Sequence, residues 1–131
     1  MSLHRHDPTA DIHPLLSQRW SPRAFAGESL SDAELLPLFE AARWAPSSSN
    51  EQPWRFIVAR QDQLEAFGRI YGCLSESNRR WAGSAGALIL AVMARITTRR
   101  RENLYALYDL GQEVAHLIVQ ATADGLFIRQ M

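Results

Sequence analysis

Stretches with apolar residues at helical spacing alternate along this chain with apolar runs at strand spacing, and short turn-rich segments separate them. Ile12, Leu15, Leu16 and Trp20 fall on one helix face, and Pro22 disfavours helical geometry at Ser21, so a first short helix is predicted to end at Arg19 to Ser21. Ser31-Asp32-Ala33-Glu34 is a capping box, in which hydroxyl and carboxylate satisfy each other's backbone donors. Leu35, Leu38, Phe39 and Ala42 follow on one face of a second helix that ends before Pro46, with a bend or a late start expected at Pro37. Trp54 to Val58, aromatic and β-branched after Pro53, predicts a strand. Asp62, with Glu65 three positions on, opens a third helix carrying Leu64, Phe67, Ile70, Tyr71 and Leu74. After the polar stretch Ser75 to Arg80, the uninterrupted run Ala87 to Met93 reads as a strand covered on both faces. Glu102 to Asp124 reads as a long helix, with Leu104, Leu107, Tyr108, Val114, Leu117, Ile118 and Ala121 apolar and Gly125 placed as its left-handed terminator. Leu126 to Ile128 begins another strand.

Alternating helices and strands define an α/β or α+β chain, with helices packed on a sheet, in a single domain over residues 1–131. The first eleven residues read as a disordered leader. Because the last strand has just begun at Met131, the fold is expected either to close by pairing with a partner or to continue in a longer chain.

Composition narrows the function. Apolar residues make up 47% and the 14 basic and 14 acidic residues cancel, so nothing in the balance asks for nucleic acid or an anionic membrane. Locally, Arg95, Arg99, Arg100 and Arg101 form a basic cluster around two threonines; with no aromatic residue interleaved, it reads as a solvated excursion rather than a nucleic-acid contact. The sole cysteine, Cys73, allows no intrachain disulfide and reads as a small buried filler on the third helix. His4, His6, His13 and His116 are too scattered for a ligand set, so no structural metal is expected, and His116 reads as an interface or core histidine. No signal-peptide core is present, and the longest apolar run, Ala85 to Ala94, is far short of the ~20 residues that span a bilayer, which gives a cytoplasmic reading.

Two segments concentrate polar chemistry. Ala45 to Trp54, APSSSNEQPW, sets three serines and an asparagine between two prolines that fix φ, a stiff loop rich in donors and acceptors. Taken alone it is also what ends a helix. Arg19-Trp20-Ser21-Pro22-Arg23-Ala24-Phe25 places two guanidinium groups and a hydroxyl within five residues, a pattern that matches phosphate oxygens, although surface arginines at this spacing also arise by chance. Together, one segment suits a phosphate and the other a planar hydrogen-bonding ring, as a mononucleotide-like cofactor requires.

These residues resemble the nitroreductase family of FMN-dependent oxidoreductases. Arg19 to Phe25 is similar to the family's N-terminal phosphate motif, and Ala41 to Phe56, AARWAPSSSNEQPWRF, to its second signature, with the capped helix between them in the right order. Asn78 with Trp81 resembles the segment whose asparagine faces the flavin, and Tyr108 to Gln112 followed by Ala123 to Leu126 resembles the family's long interface helix. The resemblance covers the chain from about Leu15 onward and implies a mainly antiparallel central sheet, with the family's C-terminal part absent. It further implies an obligate homodimer with FMN at the subunit interface. Arg19, Trp20, Ser21 and Arg23 would hold the phosphate and ribityl tail, Pro46, Ser47, Ser48 and Asn50 would reach the flavin from the partner subunit, and Asn78 would bond the polar edge of the ring. Electrons would pass from NADH or NADPH through the flavin to a small-molecule acceptor, a nitroaromatic or quinone, in ping-pong fashion. No side chain need act as acid, base or nucleophile, since the flavin carries the chemistry. The alternatives are a flavin-fragmenting or dehalogenating branch of the family and a flavin-binding member without turnover.

Overall fold

The computed structural model describes residues 8–131, so His4, His6 and most of the expected leader lie outside the described residues. The elements run α1 (Pro14–Gln18), α2 (Asp32–Arg43), β1 (Trp54–Arg60), α3 (Leu64–Gly72), α4 (Glu76–Ala82), β2 (Ala87–Met93) and α5 (Ala106–Ala123). β1 and β2 pair antiparallel, from Trp54 opposite Met93 to Arg60 opposite Ala87. Helices α2 and α5 lie against each other on one face of this ribbon, and α3 and α4 take part of the other.

The side-chain period of two along each strand divides the core. On the first face, Phe56, Val58 and Ala87 meet Leu35, Leu38 and Ala42 of α2 and Leu117 and Ala121 of α5, with the Phe39 and Phe56 rings 5.1 Å apart. On the second, Ala59 and Leu88 meet Phe67 of α3, Ala82 of α4 and Ala85. Only one end of that second face is covered. Ile57 and Leu90, paired across the strands, and Val92 are exposed, which corrects the reading of β2 as buried on both sides. An apolar run signals the wish for two-sided cover; the covering elements must still reach its far end.

Helix α2 starts where its capping box predicts: Ser31 Oγ accepts from the Glu34 N–H at 3.3 Å, and the Glu34 carboxylate accepts from the Ser31 N–H at 2.8 Å. The Ser31 hydroxyl, which donates to the same carboxylate at 2.7 Å, and the Ser31 N–H hold the Glu34 carboxyl below its ordinary value. Pro37 delays nothing; it sits inside the helix and removes the bond its missing N–H would have made. Several boundaries differ from the sequence reading. Ser75 caps Asn78, turning the polar stretch into α4. Asp62 opens no helix, because its carboxylate accepts from Ser29 Oγ at 2.9 Å and pairs with Arg60; α3 begins two residues later. Helix α5 begins at Ala106 rather than Glu102, since residues 97–101 fold into a tight turn closed by an Ile96–Glu102 bridge. Cys73 is exposed at the end of α3, with Sγ donating to the Arg69 carbonyl, so it fills no core.

Gly125 terminates α5 at φ +74°, as its position predicts, and turns the chain so that Leu126 N–H donates to the Ala121 carbonyl at 2.8 Å. Leu126 and Ile128 then pack on the first core without entering a ladder, so the expected last strand is an extended tail. Gly86, at the entrance to β2, lies so close to the 27–30 segment that a Cβ there would sit 2.4 Å from the Glu28 carbonyl oxygen.

Candidate functional site

Where α1 ends, Pro22 is buried and anchors a turn that leaves Arg19, Ser21 and Arg23 exposed. Arg19 Nη1 donates to Ser21 Oγ at 3.2 Å, so these two predicted residues do converge. Trp20 packs edge-on against Phe127 at 5.9 Å, and Phe25 packs on Trp81 of α4 at 6.1 Å, which ties the turn to the helix that carries Asn78. The C-terminal tail closes the third side. Arg129 Nη1 donates to the Ser21 carbonyl at 3.1 Å, and its guanidinium lies 5.1 Å from the Trp81 ring centroid. Its Nε is buried without a hydrogen-bond partner among the described residues. A cleft of about 440 Å³ opens here, lined by Trp20, Pro22, Phe25, Trp81, Leu126 and Arg129 among others.

The loop between α2 and β1 is built differently. Ser49, Asn50 and Gln52 all have positive φ, at 54°, 55° and 46°. Asparagine tolerates that region, but serine and glutamine are held there at a cost of about 1 kcal/mol or more each. What holds them is a set of bonds to the loop backbone. Ser48 N–H donates to Asp109 Oδ2 at 3.1 Å, Gln52 N–H to Ser47 Oγ at 3.1 Å, and Asn50 N–H to the Ser47 carbonyl at 3.0 Å. The Glu51 carboxylate accepts from both the N–H and the hydroxyl of Thr98, at 2.8 and 2.9 Å. Among the described residues, the side chains of Ser48, Ser49 and Asn50 make no hydrogen bond within the chain. Backbone constraint with free side-chain donors is the arrangement a ligand-binding loop needs. Ser47 differs from its predicted role in one respect: its oxygen already accepts a bond inside the loop.

Asp109 is a residue that the sequence alone does not mark out, since residues 108–112 read only as part of the long interface helix. It is buried on α5, in the stripe Ala106, Asp109, Glu113, Leu117 and Ala121. Two carboxylates on an otherwise apolar stripe were the available signal. Glu113 is pushed up to about 8 by burial, against the opposing positive charge of Arg55, and its Oε2 has no hydrogen-bond partner among the described residues. The loop and the arginine turn do not meet on this chain: none of Pro46 to Asn50 lines the cleft at Trp20 and Arg129. Among the described residues no group of three or more His, Cys, Asp or Glu side chains could hold a metal ion, and no helix is long and apolar enough to cross a membrane.

An α+β scaffold carrying an arginine-serine turn and a pinned, donor-rich loop has the fold of an FMN-containing oxidoreductase of known structure, to which the chain is 32% identical with a TM-score of 0.85 over 95% of its length and 65% of that structure's. An FMN-dependent nitroreductase from Clostridium difficile, 25% identical, aligns with a TM-score of 0.63 over 85% of this chain and 55% of its own. The model of the nitroreductase family matches residues 16–82, just over half of the chain and the part that holds both motifs and Asn78, so the chain belongs to the nitroreductase family. A Streptomyces coelicolor protein named "Putative NADH dehydrogenase/NAD(P)H nitroreductase" is 39% identical over 71 residues, 54% of this chain. An Archaeoglobus fulgidus protein with the same name is 38% identical over 50 residues, 38% of this chain. The matched segments span 33% and 29% of those two relatives' own lengths.

Proposed function

We propose that this chain is an FMN-dependent oxidoreductase that carries electrons from NADH or NADPH to a nitroaromatic, quinone or similar acceptor by a ping-pong sequence. The observation that carries the reading is the APSSSNEQPW loop, fixed in left-handed geometry while Ser48 and Asn50 keep their side-chain donors free. The arginine turn fits the cofactor's other end. Arg19, Ser21 and Arg23 supply charged and neutral donors for a phosphate, Trp20 walls the ribityl tail, and the unpartnered Nε of Arg129 adds a donor from the C-terminal side. Asn78, on the helix that packs on this turn through Trp81, takes the polar edge of the ring. FMN, when bound, supplies the hydride and electron chemistry, so the chain's own residues bind and orient rather than act as acid, base or nucleophile.

The separation of the loop from the arginine turn fits a homodimer, in which Pro46, Ser47, Ser48 and Asn50 of one subunit reach the flavin held by the other's turn. Leu104, Tyr105, Leu107 and Tyr108 at the start of α5, all more than half exposed, and Trp44 beside the loop offer the apolar surface that a second copy would cover. The unpaired cysteine agrees with a cytoplasmic setting. FMN titration by fluorescence quenching tests the reading. Arg19→Ala and Arg23→Ala should each weaken binding by roughly 1.5 to 3 kcal/mol through loss of charge-assisted phosphate bonds, and unchanged affinity in both would remove the phosphate assignment.

A further inference from the structure

The segment between β2 and α5 carries the strongest local charge in the chain and has no part in the flavin site as described. Its backbone is a fixed frame. Thr97 N–H donates to the Arg101 carbonyl at 2.8 Å, Arg100 N–H to the Thr97 carbonyl at 2.9 Å, and Arg101 N–H to Thr97 Oγ1 at 3.0 Å, while Arg100 takes φ +57°. Arg95 and Glu102 pair at 3.6 Å across the base of the turn. Arg99, Arg100 and Arg101 are exposed, and none of them has a carboxylate partner among the described residues. Three adjacent guanidinium groups repel one another, and an ordered turn that fixes their backbone holds them together as an uncompensated positive patch.

Position supplies the second observation. Thr98, the residue before the arginines, donates both its N–H and its hydroxyl to Glu51, which directly follows Asn50. The arginine-bearing turn is therefore stitched to the loop proposed above to meet the flavin. A nicotinamide ring stacked on the flavin to deliver its hydride leaves its ribose and phosphates outside the ring site, where a charged turn clasped to this loop is placed to take them. We infer that Arg99, Arg100 and Arg101 bind the phosphates of the nicotinamide dinucleotide, with the ribose 2′-phosphate as the favoured ligand, and that the protein thereby selects NADPH over NADH. The inference rests on the flavin reading for its placement of the nicotinamide, while the anion site itself rests on the turn.

Adenosine 2′,5′-bisphosphate and AMP are the probes, since they differ by the 2′-phosphate alone. Calorimetric titration of the full chain at low salt should show the bisphosphate binding about 30-fold tighter than AMP. The triple substitution R99S/R100S/R101S, confined to exposed side chains, should bring the two ligands to within about threefold, and Glu51→Gln, which loosens the clasp, should fall between. Steady-state rates should follow, with the triple variant losing its preference for NADPH in kcat/KM. Equal affinity of the wild-type chain for both probes, or a triple variant that still discriminates, overturns the inference. FMN titration of the same preparations separates the two readings: a chain that binds FMN but ignores the 2′-phosphate defeats this inference alone, whereas one that discriminates the 2′-phosphate but binds no FMN supports the anion site and defeats the flavin reading.

Discussion

Replacing Glu113 with glutamine removes a carboxyl that α5 buries beside Asp109, with only the charge of Arg55 to favour its ionised form. Burial raises this group from its ordinary value of 4.5 to about 8. The folded chain therefore keeps the proton across a window in which the unfolded chain has released it, and stability must fall as pH rises from 4.5 towards 8. Inside that window the slope is about 1.4 kcal/mol per pH unit, so two pH units amount to about 2.7 kcal/mol, a large fraction of a typical domain's 5–15 kcal/mol. Urea unfolding at pH 5.5 and 7.5 measures the effect. Wild type should lose about 2.7 kcal/mol more than Glu113→Gln between the two values. The variant cancels every other titration, because only the carboxyl differs. Parallel pH profiles for the two proteins would refute the burial argument, and a wild type that gained stability towards pH 7.5 would reverse its sign.

Asp109→Ala strips the acceptor from the Ser48 N–H, leaving a donor unsatisfied at a cost of about 1 to 3 kcal/mol and releasing the left-handed loop; FMN affinity should fall about tenfold or more, with Asp109→Asn partly retaining it through its amide oxygen. Equal affinity in all three proteins would show that the loop needs no anchor on α5. Gly86→Ala drives a methyl group to 2.4 Å from the Glu28 carbonyl, so the 27–30 segment must shift at a cost of about 1 to 3 kcal/mol. A thermal melt should show Tm lowered by several degrees, and an unchanged Tm would mean that the segment yields freely.

Local signals were the most legible in the sequence. The Ser31–Glu34 capping box, the Gly125 terminator and the β1 segment after Pro53 each report a bond or a torsion set by adjacent residues, and each appears where predicted. Errors came where a distant contact decides. Asp62 looks like a helix cap until Ser29 claims its carboxylate, and Glu102 looks helical until the Arg95 to Asn103 turn claims its backbone. Helix α4 was hidden because its residues are mostly polar; only Ala82 is buried, so no apolar stripe announces it. The same division runs through the candidate site. Arg19, Ser21 and the loop serines were legible as residue types in a motif, whereas Asp109 and Arg129 act through contacts spanning 61 and 108 residues. Neither contact leaves a spacing that a single sequence displays.

The central claim is a flavin site completed by two copies of the chain, and mixing two damaged proteins tests it most directly. Arg23→Ala would spoil the proposed phosphate turn, and a Ser48→Ala/Asn50→Ala double variant the loop that would come from the partner. Each homodimer should bind FMN weakly, because both of its sites carry one damaged half. After the two are unfolded together and refolded, a mixed dimer holds one site with both defects and one with neither, so FMN titration should recover tight binding at one site per mixed dimer. Recovery of that wild-type affinity is the result the account predicts; a mixture no better than its parents would contradict a shared site.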